Sequence, residues 1–69
     1  SEGKITEKER LLWEYVLSAY GTEEFTTKQL EKDFRNAAYA TIRTFVMKFH
    51  EMGLLAARKA GNRVYYKVR

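Results

Sequence analysis

Apolar positions along this chain follow a helical period up to residue 52 and alternate with polar ones from Arg63. A first helix is predicted over Ile5 to Tyr20, and after Ile5 its apolar residues are Leu11, Leu12, Trp13, Tyr15, Val16, Leu17, Ala19 and Tyr20. At about 100° per residue they cover roughly two thirds of a helix circumference, whereas one core contact needs a stripe only a little wider than about 100°. The middle of the arc (Leu12, Val16 and Ala19, with Tyr15) is expected to face the core. An edge is left over, and Trp13 with Leu17 is a candidate for it. Either neighbouring loops cover that edge, or it is a contact patch for another domain or another copy of the chain. Thr6 and Glu9 stand at capping-box spacing, and Gly21 is placed to stop the helix.

A second helix is predicted to open at Thr26, three residues before Gln29, as an N-cap pair in which each side chain satisfies a backbone N–H. Leu30 and Phe34 supply its apolar stripe. A turn is expected within residues 35–37, and a third helix over about 38–52. Ala38, Ile42, Phe45, Val46, Phe49 and Met52 share one face of that helix, and Gly53 ends it. The opposite face carries Ala40, Arg43, Thr44, Met47 and Glu51. Thr41 and Lys48 lie on one flank, Tyr39 and His50 on the other. Phe25 and Thr26 form a short β-prone pair just before the second helix.

From Arg63 the period is two. Val64, Tyr66 and Val68 alternate with Arg63, Tyr65, Lys67 and Arg69, and Gly61-Asn62 marks a turn. Together these predict a β-hairpin. An isolated hairpin is marginal in water, so its Val64/Tyr66/Val68 face should pack on the helices. Arg58, Lys59 and Arg63 then rim a cationic tip.

With 69 residues and 45% apolar content the chain is expected to form one domain with a small core. The domain is expected to span residues 1–69, with 1–4 read as a remnant or disordered end. The charge is divided unevenly. Residues 1–35 carry six Lys/Arg and eight acids, residues 36–69 seven Lys/Arg and only Glu51. A half with a net charge of +6 is the footprint of a polyanion-binding face. A membrane-surface helix would need its cations opposite bulky apolar residues on the same helix, and here they lie mainly after the helix. The polar N-terminus and the lack of a long apolar run predict an intracellular protein, cytoplasmic or nucleoid-associated, with no membrane partner.

An enzyme is not expected. There is no cysteine, His50 is the single histidine, and the four glycines stand singly, so no phosphate loop is formed. Glu23-Glu24 and Glu31/Asp33 are neighbouring carboxylates in solvated segments, not a converging pair. No catalytic residue, metal ligand, cofactor or small-molecule substrate is assigned.

Helix, short strand, helix, turn, helix and hairpin is the winged-helix order, an α+β fold in which a three-helix bundle with a helix-turn-helix precedes a two-stranded wing. The chain resembles the MarR, ArsR and penicillinase-repressor winged helices through Thr41-Ile42-Arg43-Thr44-Phe45-Val46, Phe49, Gly53-Leu54-Leu55, the basic turn from Arg58 to Arg63, and Val64-Tyr65-Tyr66. The resemblance implies double-stranded DNA as partner and transcriptional regulation as role. It places Thr41, Arg43, Thr44 and Lys48 in the major groove and Lys59, Asn62 and Arg63 on the backbone or minor groove. The residues themselves add Tyr39 as a base contact beside Arg43 and Thr44, and Lys28, Lys48 and the wing cations, Arg58 included, as phosphate contacts. Two features depart from the repressor pattern. The extra dimerising helices have no counterpart here, so no palindromic site is implied. Met47 is apolar amid the presumed reading face, and Glu51 repels phosphate. The alternative reading is therefore a protein-interaction or regulatory docking module of a larger protein such as a Fic-type enzyme, with Trp13, Leu17 and Met47 as contacts.

Overall fold

The computed structural model describes residues 5–35 and 37–69; the expectations that fell on residues 1–4, and on Asn36 within the second turn, lie outside these. Three helices, α1 (Glu7–Ala19), α2 (Thr27–Asp33) and α3 (Tyr39–Glu51), precede two strands, β1 (Leu55–Ala60) and β2 (Arg63–Val68). This α+β layout is compatible with a winged helix. No helix among the described residues is long and apolar enough to cross a membrane.

The helix ends follow local chemistry. Thr6 Oγ1 accepts the Glu9 N–H at 3.2 Å while Glu9 Oε1 accepts the Thr6 N–H at 3.0 Å, a full capping box. The cap of α2 is one-sided: Thr26 Oγ1 accepts the Gln29 N–H at 3.0 Å. At the end of α3, Gly53 takes φ +81°. Its N–H donates to His50 O and the Leu54 N–H to Phe49 O, the paired bonds of a Schellman stop. Ala38, placed on the core face by periodicity, is instead the exposed N-cap of α3. Its backbone is extended there, so helical spacing does not apply to it.

The core joins Leu12 and Val16 of α1, Leu30 of α2, and Ile42, Phe45, Val46 and Phe49 of α3, with Phe25 and Leu55 closing it from the loop and the wing. Of the leftover edge of α1, Trp13 is half-buried, its ring 5.1 Å from that of Phe49. Leu17 remains 45% exposed. Helix α3 covers Trp13 through Phe49.

In the hairpin, Leu55 pairs with Val68, Ala57 with Tyr66 and Lys59 with Val64; Ala60 and Arg63 flank the two-residue turn. Gly61 has φ +61°, and no other described residue has positive φ except Gly21 and Gly53. A positive-φ glycine followed by a negative-φ residue is the type II′ combination, whose twist matches that of the strands. The wing is tied to the helices by Phe25: its N–H donates to Tyr66 O and its carbonyl accepts the Tyr66 N–H, each at 2.8 Å. The β-prone pair before α2 supplies one bridging residue, Phe25. Phe25 also stacks on Tyr20, with centroids 4.8 Å apart and planes 12° from parallel.

Candidate nucleic-acid interface

Three elements converge on a groove of roughly 600 Å³. The start of α2 contributes Thr26, Thr27 and Lys28. One stripe of α3 contributes Tyr39, Arg43 and Met47, residues four apart and so one above another on the helix. The wing contributes Asn62 and Arg63 at its turn, with Val64 and Tyr66 deeper and Val46 on the helix side. Among the described residues that line it, none is acidic. Tyr39 is positioned by its hydroxyl, 3.4 Å from Thr27 Oγ1, which links the starts of α2 and α3. Ala38 offers no side-chain cap to α3, so the first N–H groups of that helix lack a side-chain acceptor there.

Five of the residues expected to meet nucleic acid therefore share one groove: Lys28, Tyr39, Arg43, Asn62 and Arg63. Lys59 lies beyond it, exposed on β1 opposite Val64 and hence on the same face of the hairpin as Val64 and Tyr66.

The other four are placed differently. Thr41 and Thr44 lie on the α1 side of α3 and, with Ala40, Thr6 and Glu9, line a second, shallow depression. The carboxylate of Glu9 makes that side less hospitable to phosphate. Lys48 is held against that same acid: its Nζ donates to Glu9 Oε1 at 2.8 Å, and Glu9 is only 5% exposed. Burial pushes the Glu9 carboxyl up, but the hydrogen bond from Lys48, the Thr6 N–H and the lysine charge together hold it below the usual glutamate range. Arg58 turns away from the wing tip. Its guanidinium binds both Glu24 oxygens, at 2.7 and 2.8 Å, and lies 4.8 Å from the Tyr65 ring centroid. Those hydrogen bonds lower the Glu24 carboxyl, and the Lys67 charge adds to the effect. Lys48 and Arg58, expected as phosphate contacts, are each paired with an acid in the free chain, so an approaching phosphate must compete with a carboxylate already in place.

Sequence reasoning missed Thr26 and Thr27 as groove walls, and Glu9 and Glu24 as the partners of Lys48 and Arg58. The first pair is brought to α3 by tertiary packing, with Thr27 Oγ1 3.4 Å from the Tyr39 hydroxyl across 12 positions. The ion pairs had no signal in the sequence, because they span 39 and 34 positions.

Among the protein-contact candidates, Leu17 and Met47 are exposed and Trp13 is half covered. His50 sits on the flank of α3 with Nδ1 2.9 Å from Leu55 O, and its ring meets Tyr66 edge-on. Among the described residues, no group of three or more His, Asp or Glu side chains is placed to hold a metal ion. No family model matches the chain, and neither the curated proteins nor the solved structures contain a match to it.

Proposed function

We propose that this domain is a winged helix that binds double-stranded DNA and serves in transcriptional regulation. Helix α3 enters the major groove along its Tyr39–Arg43–Met47 stripe, and the Asn62/Arg63 turn of the wing follows the backbone. The observation that carries the reading is the acid-free groove in which Lys28, Arg43 and Arg63 arrive from three separate elements. Cations gathered from distant parts of a chain repel one another in the free protein, and a polyanion relieves that repulsion. Arg43 offers donors only and suits the two acceptors of a guanine edge. Lys28 and Arg63 flank it at the distance of neighbouring elements, where phosphates run beside a helix in the groove.

The test is binding to a random-sequence duplex across a salt series. With Lys28, Arg43, Lys59 and Arg63 as the contacting cations, log K should fall with log[salt] at a slope of about −3 to −4. No binding even at low salt overturns the reading. In that event the docking alternative stands next, carried by the exposure of Leu17 on the outer side of α1.

A further inference from the structure

We propose that Met47 is a second base-reading residue of α3, packing on the C5 methyl of a thymine within about two base steps of the guanine met by Arg43. The inference rests on the DNA-binding reading and gives it a substrate preference. Met47 is 53% exposed, more than any other large apolar side chain described. It does not stand on a bare surface: it lines the same groove as Arg43, one helical turn further along. An apolar side chain in a cationic groove gains nothing from phosphate. In the major groove the apolar feature of a base edge is the thymine methyl. The unbranched, polarisable thioether of methionine adapts to such a contact. The hydroxyls that could otherwise share the reading, Thr41 and Thr44, are turned to the Glu9 side of the helix. The stripe of Tyr39, Arg43 and Met47 is what remains to face the bases.

The spacing fixes the register. Four residues of helix rise about 6 Å, and bases on a strand step by about 3.4 Å. Arg43 and Met47 therefore reach positions separated by no more than about two steps.

The experiment starts from duplexes selected by the intact domain out of a randomised core. Each thymine of a selected duplex is then replaced singly by deoxyuridine, which removes the C5 methyl and nothing else. One thymine within about two steps of a guanine should respond with an affinity loss of about fourfold, the worth of one buried methyl-sized group. Met47→Ala should bind the unmodified duplex more weakly by at least that factor and show no further loss with deoxyuridine. Its thermal midpoint should match the parent's, because the side chain is exposed. Uniform indifference to deoxyuridine, or the same loss in Met47→Ala, overturns the inference while leaving DNA binding intact. Binding without selection of any sequence overturns this inference alone, whereas no binding to any duplex even at low salt overturns the DNA reading, and this inference with it.

Discussion

Lys48 Nζ and Glu9 Oε1 meet at 2.8 Å across 39 positions of sequence, so that one carboxylate both closes the capping box of α1 and anchors α3 to it. Glu9→Gln preserves the cap, since glutamine also serves at that position, but replaces the carboxylate that Lys48 meets with a neutral amide. The substitution should lower stability near pH 7 by about 1–2 kcal/mol. The pH dependence has a definite sign. The Glu9 carboxyl is held below its ordinary value of 4.5 in the folded chain. As pH falls past that value the unfolded chain takes up the proton first, so the contribution of Glu9, present above it, is lost toward lower pH. Urea unfolding of both proteins between about pH 3 and about pH 7 should give curves that converge at the acid end. A constant gap down to acid would show that the ion pair is not its source.

The two wing arginines should behave unlike one another. Arg63 lines the groove, and Arg63→Ala should weaken every duplex by a similar factor and reduce the salt slope by about one. Arg58 is engaged by Glu24 and Tyr65. Arg58→Ala should leave the slope nearly unchanged. Paired salt series on both variants measure this, and equal slope changes would mean that Arg58 leaves Glu24 when DNA arrives.

Arg43→Ala should cost about 1–3 kcal/mol on a selected duplex and much less on a scrambled one, flattening the preference. Competition binding with both duplexes decides it. Equal losses on the two would make the domain a non-specific clamp.

Tyr66 is half-buried, bridged through its backbone to Phe25 and set against the ring of His50. Tyr66→Ala should remove about 2–3 kcal/mol, somewhat less than the loss of a fully enclosed aromatic. In a domain of this size that is a large share of the total. Thermal unfolding followed by circular dichroism provides the check, and an unchanged midpoint would detach the wing from the core.

The elements were legible from residue order because their signals are local. Period and caps placed α1, α2 and α3 to within one or two residues, and alternation around Gly61-Asn62 placed the hairpin. Caps, glycine stops and a two-residue turn act through neighbours in sequence, where spacing is geometry. The inward face of the wing was legible for the same reason: Val64, Tyr66 and Val68 alternate, and a strand has only two sides. What tertiary structure decided was the fate of long side chains. Whether a lysine reaches a phosphate or a carboxylate depends on what lies within its reach, and for Lys48 and Arg58 that was an acid more than thirty positions away. The division of the outer face of α3 was settled in the same way. Arg43 and Thr44 adjoin in sequence, but the wing stands on one side of that helix and Glu9 on the other, so one lines the cationic groove and the other a depression beside an acid.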